Sequence, residues 1–128
     1  HAATADDITA ARATSVETAS RLRDFMAGRD IFILPATACP AFPLRQPPAR
    51  IGARAVRPDW PSYAPFNMLA NITGFPVATL PMGLSADGLP VGALAFAGFG
   101  RDSLLLEALT EAEALRGPFP AVPLTPTR

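Results

Sequence analysis

The sequence predicts an α/β fold, a small mixed sheet flanked by helices, and three observations carry that expectation. Two long stretches, 6–27 and 102–115, repeat apolar residues at helical spacing. Two segments, 77–82 and 90–97, are apolar almost throughout and are separated by Ser85-Ala86-Asp87-Gly88, a turn signal. A third apolar run, Ile31-Phe32-Ile33-Leu34, is closed by Pro35. Strands apolar on both faces need cover on both sides. One β-hairpin, at about 77–97, thus lies between helical layers.

Each element follows from local chemistry. In the first helix Ile8, Ala11, Ser15, Ala19, Leu22 and Met26 form one stripe, widened by Val16 and Phe25. Asp6 and Asp7 favour a helix N-terminus, Thr4 or Asp6 suits the cap, and Gly28 suits the stop. Residues 35–62 are rich in proline and carry Arg45, Arg50, Arg54 and Arg57. They read as one long, solvated connection without periodicity. A short helix is expected over 63–72, with Phe66, Leu69, Ala70 and Ile72 on its apolar side, ended by Thr73-Gly74-Phe75-Pro76. The last helix is expected to be capped by Asp102 or Ser103 and to bury Leu104, Leu105, Ala108, Ala112 and Leu115. Gly117-Pro118 ends it, and 117–128 reads as an extended tail. The whole of 1–128 forms one unit.

Composition narrows the function. The formal net charge is +0, and the basic residues are eleven scattered arginines, so no nucleic-acid footprint is present. No run approaches the ~20 apolar residues of a membrane span, and no signal peptide is recognisable. A soluble cytoplasmic protein is expected. Cys39 is the lone cysteine, so no internal disulfide can form, and no internal histidine is present to activate it. His1 alone cannot anchor a metal site, and neither metal nor cofactor is expected. Gly98-Phe99-Gly100 lacks the third glycine and the lysine of a phosphate loop. Glu107 and Glu111 share a helix face and read as solvated.

Several motifs occur in a telling order. A helix end and strand, Asp24–Arg29 then Asp30–Thr37, precede Phe66-Asn67 and Thr73-Gly74-Phe75-Pro76. Pro81-Met82-Gly83, then Gly88-Leu89-Pro90-Val91-Gly92, then Asp102, Leu104 and Leu105 follow. Over roughly residues 20–115 this series resembles the C-terminal part of the amidase signature family, hydrolases of carboxamide C–N bonds. The resemblance implies a Ser–cis-Ser–Lys triad, with serine as nucleophile and backbone amides as oxyanion donors. This chain has no lysine, and its serines, at 15, 20, 62, 85 and 103, are never adjacent. No catalytic residue carries over, and the chain alone is expected to be inactive.

What the resemblance does imply is a wall of the acyl pocket, with Tyr63, Phe66 and Asn67 as candidates. On residue type alone, Phe66 equally suits a core position and Asn67 a helix end. The A subunits of glutamyl-tRNA amidotransferases carry an aspartate where this chain has Ala64, which disfavours that alternative. A stand-alone binding module with the same sub-fold is the other. The expected partner is the N-terminal part of an amidase or a second copy covering the sheet. A small amide is the substrate of the parent enzyme.

Overall fold

The computed structural model describes residues 2–119. In chain order the elements are α1 (Ala5–Met26), β1 (Ile31–Pro35), β2 (Arg50–Ile51), β3 (Arg54–Ala55), α2 (Trp60–Tyr63), α3 (Asn67–Thr73), β4 (Val77–Leu84), β5 (Pro90–Ala97) and α4 (Asp102–Arg116). The fold is α/β. The main sheet has the order β1-β5-β4, with the expected hairpin supplying β4 and β5. Both pairings are antiparallel, so the mixed strand directions expected from sequence do not occur in this sheet.

Side-chain size along β5 explains the two helical layers. Leu94 and Phe96 point to one face, where they meet Leu22 and Met26 of α1, Phe75, and the Phe66, Leu69 and Ala70 region of α3. Ala95 and Ala97 point to the other face, against Leu105 and Leu109 of α4. Large residues on one side and alanines on the other let α4 approach the strands closely. Phe96 is fully buried and anchors the larger core.

The parity of the strands can be read from two hydrogen bonds. The Ala36 N–H donates to the Gly92 carbonyl at 2.9 Å, in register with the β1–β5 ladder. Backbone groups alternate in direction along an antiparallel strand, so those of Phe32 and Leu34 face β5 while those of Ile31, Ile33 and Pro35 face outward. On the other edge, the Ala97 N–H donates to the Pro76 carbonyl at 3.2 Å. By the same rule Val77, Thr79 and Pro81 face outward on β4. Pro35 and Pro81 therefore occupy edge positions where a missing N–H breaks no bond of the sheet. A bulge follows between Pro81 and Gly83.

Several expectations need correction. Of the α1 stripe, only Leu22 and Met26 are buried, whereas Ile8 is 49% and Val16 71% exposed. A 22-residue helix is about 33 Å long, and residues 2–14 have no neighbour that covers them. Thr4 does cap α1, in a reciprocal box with Asp7. β1 is not covered on both faces: α4 lies over β4 and β5, and Ile33 stays 61% exposed. The N-cap of α4 is Arg101, not Asp102 or Ser103, and no side chain bonds there. The Arg101 guanidinium instead pairs with Asp30 at 2.9 Å. Leu105 is the buried residue of α4, and Leu115 is 90% exposed.

Of the helix expected at 63–72, residues from Asn67 onward form α3, whereas Tyr63 closes α2. Pro65 lacks an N–H and disfavours a helical Ala64 before it, so the chain breaks there. Gly74 ends α3 in the left-handed region, its N–H bonded to the Ala70 carbonyl at 2.8 Å. The connection 35–62 is not wholly irregular, because β2 and β3 pair across Gly52, whose φ of 55° suits a tight hairpin loop. Most of the expected tail, residues 120–128, lies outside the described residues.

Candidate functional site

Segment 59–67 gathers the polar groups of interest. Asp59 precedes α2 and accepts from both the Ser62 N–H (3.1 Å) and the Ser62 hydroxyl (2.6 Å). These bonds hold the Asp59 carboxyl below its ordinary value, led by the Ser62 hydroxyl and helped by Arg57. A carboxylate held in that state is a poor proton acceptor, so Ser62 is a cap partner here rather than an activated nucleophile.

Tyr63 follows directly. Its carbonyl accepts from the Ala38 N–H at 2.7 Å, which ties the segment to the loop after β1. Its ring meets Phe42 edge-on, with centroids 5.1 Å apart. Its hydroxyl is buried and has no hydrogen-bond partner among the described residues. Burial pushes the phenol up, and the neighbouring Asp59 carboxylate adds to that. Ala64 is fully buried. Phe66 packs on the larger core and precedes α3. Asn67 opens α3, and its side-chain oxygen is also buried without a partner.

The three sequence-predicted residues thus lie within residues 63–67, and two of them carry buried polar atoms that have no partner among the described residues. Native structures satisfy the great majority of such atoms. Phe66 differs in that its contacts are core contacts. Sequence reasoning missed the neighbouring cleft, about 580 Å³ in volume, between the β2–β3 hairpin and α2. Ile51, Val56 and Pro65 form its apolar wall, and Arg54, Arg57 and Asp59 its polar one. The signal was available: short runs on either side of Gly52 suit a hairpin, and Asp59 with Ser62 three residues on suits a capped turn. Among the described residues, no three His, Cys, Asp or Glu side chains come together as metal ligands would.

A helix–sheet–helix sandwich carrying these motifs in this order has the α/β form expected of the amidase signature family. The comparison with known proteins makes that a membership: the chain belongs to the amidase family, whose model matches residues 1–106. An acylamidase of Rhodococcus erythropolis is 38% identical over 96 residues, covering 72% of this chain and 19% of that protein. The 6-aminohexanoate-cyclic-dimer hydrolase of a Pseudomonas strain is 40% identical over 48 residues, or 38% of this chain and 10% of its own length.

Among solved structures, a bacterial aryl acylamidase of the amidase signature family superposes with a TM-score of 0.69 at 25% identity. It covers 90% of this chain and 24% of its own. A 6-aminohexanoate cyclic dimer hydrolase superposes with a TM-score of 0.72 at 22% identity, over 90% of this chain and 25% of its own, which shows the shared fold. The chain spans about a fifth of the length of the acylamidase. No helix among the described residues is long and apolar enough to cross a membrane.

Proposed function

We propose that this chain is the C-terminal part of a cytoplasmic amidase that hydrolyses carboxamide C–N bonds by serine nucleophilic catalysis, and that alone it is inactive. The observation that carries the reading is the family match over residues 1–106 in a chain that contains no lysine. An amidase of this kind needs a lysine base, so the triad comes from outside these residues. The role of this part is then to complete the sheet and to close one side of the acyl pocket with Tyr63, Phe66 and Asn67.

Two features support that role. The unpaired Tyr63 hydroxyl and Asn67 oxygen are explained if the rest of the enzyme, or a substrate amide, faces them. The bare Ile33 and the outer half of α1 are explained if further polypeptide covers them. Ala64 supports a plain amidase over an amidotransferase subunit. The position is fully buried, and an aspartate there would need a charged partner.

The test is an amide-hydrolysis assay on the 128-residue chain and on the full gene product, with a panel of aliphatic and aryl amides. Turnover by the gene product and none by the chain is the expected result. Turnover by the chain itself would overturn the reading. Silence in both would favour a binding module that keeps the fold.

A further inference from the structure

We infer that the cleft between the β2–β3 hairpin and α2 holds a carboxylate carried on the far end of an apolar amide substrate. The inference rests on the amidase reading and adds a substrate class to it. Charge is the first argument. Segment 35–62 carries four arginines, at 45, 50, 54 and 57, against the single carboxylate of Asp59, in a chain whose formal net charge is +0. Of these only Arg54 and Arg57 line the cleft, with Asp59, so its lining carries one net positive charge.

The second argument is how those arginines are engaged. Arg50 turns back to the Ala53 carbonyl within the hairpin. Arg57 Nε reaches Asp59 Oδ2 only at 4.0 Å, while both Ser62 donors go to Oδ1. Arg54 lines the cleft and makes no ion pair among the described residues. A guanidinium fork beside a second, weakly paired one is suited to a carboxylate.

The third argument is shape and position. Ile51, Val56 and Pro65 give the cleft an apolar side that suits a methylene or aryl body. At about 580 Å³ it has the size of a small-molecule site. It also adjoins the proposed acyl wall. Ala38 and Ser62 line the cleft, Ser62 is bonded in sequence to Tyr63, and Ala38 donates its N–H to the Tyr63 carbonyl. Tyr63 and Asn67 do not line the cleft themselves, so the two regions meet through Ala38 and Ser62, with Arg54 and Arg57 on the cleft's polar wall. The substrate class is an amide with an aliphatic or aryl spacer ending in a carboxylate.

The experiment needs no turnover. The ¹⁵N-labelled 128-residue chain is titrated with adipamate, which has an amide at one end and a carboxylate at the other. Uncharged adipamide and inorganic phosphate are titrated in parallel. Adipamate is expected to shift the amides of Ile51, Arg54, Val56 and Ser62 saturably, at least tenfold more tightly than adipamide or phosphate. The double variant Arg54→Gln/Arg57→Gln, both at exposed positions, is expected to lose that preference while keeping the helical circular-dichroism signal.

Equal binding of adipamate and adipamide, or no saturable shift with either, would overturn the inference. Phosphate binding as tightly as adipamate would reduce the cleft to a general anion site and overturn it too. Selective adipamate binding together with silence of the gene product in the hydrolysis assay would sink the amidase reading and leave the carboxylate site standing.

Discussion

Proline placed at adjacent positions of β1 gives a sharp test of the sheet. Phe32→Pro removes an N–H that faces β5, whereas Ile33→Pro removes one that faces outward. Alanine at each position serves as the control for the side chain. This matters because the Phe32 ring contacts both Phe25 (4.8 Å) and Phe96 (6.3 Å). Relative to Phe32→Ala, Phe32→Pro loses a ladder bond of about 1 kcal/mol and leaves the Phe96 carbonyl unpaired in the core at about 1–3 kcal/mol. The expected difference is about 2–4 kcal/mol. Relative to Ile33→Ala, Ile33→Pro loses no bond within this chain and should lie within about 0.5 kcal/mol. Phe32, the residue before that proline, is already extended, as proline requires. In urea, at a slope of about 1.5 kcal/mol/M, the first difference moves the midpoint by about 2 M and the second hardly at all. Equal losses at both positions, or a larger one at Ile33, would refute the assigned strand parity.

Other outcomes follow from the same structure. Phe96→Ala should cost about 3–5 kcal/mol, measured by chemical denaturation, because a fully buried ring leaves a cavity between α1 and β5. Tyr63→Phe and Asn67→Ala should leave the Tm of this chain unchanged or raise it, since each removes a buried polar atom without a partner. In an active gene product the same changes should raise KM for amides. Thr4→Ala should fray the start of α1 by about 1 kcal/mol, seen as faster amide exchange there. Asp7 is held below its ordinary value by its bonds to Thr4, so its contribution is full above the ordinary carboxylate value and is lost as pH falls through the lowered one. The first turn of α1 should accordingly loosen on acidification below about pH 4, and Thr4→Ala should weaken that dependence without abolishing it, because the backbone N–H of residue 4 still donates to Asp7.

Elements whose chemistry is local were legible in the sequence. The β4–β5 hairpin announces itself through two unbroken apolar runs around Ser85–Gly88, and the Ser85 N–H does bond the Leu89 carbonyl at 2.8 Å. Thr4, Gly28 and Gly74 mark helix ends by residue type, and the helices start or stop beside them. What depends on neighbours was not legible. Ile8, Val16 and Leu115 fit an apolar stripe by spacing, yet spacing cannot say how far the opposing sheet extends. The same limit hid Ile33, whose exposure reflects where α4 lies. Arg54 and Arg57 read as ordinary solvated charges, because it takes the two-residue strands around Gly52 to turn them into a cleft. At Asp102 and Ser103 the residue types favoured a cap, but the turn after Gly98 puts the N-cap at Arg101, so that Asp102 is already the first helical residue. Tyr63 and Asn67 were singled out by resemblance, and only coordinates reveal that their polar atoms are unpaired.

The order β1-β5-β4 also has a consequence during synthesis. The central strand is the last of the three to be made, so Ile31–Pro35 leaves the ribosome well before Pro90–Ala97 exists. Roughly 60 residues separate the two strands, which at bacterial and eukaryotic elongation rates of about 5–20 residues per second is about 3–12 s. Throughout that interval the nascent chain carries Ile31-Phe32-Ile33-Leu34 without β5, the strand that β1 pairs with among the described residues. The hairpin, in contrast, closes on neighbouring residues as soon as it emerges. Assembly of this unit is therefore gated by translation, and its first apolar strand is the segment a holdase chaperone would meet.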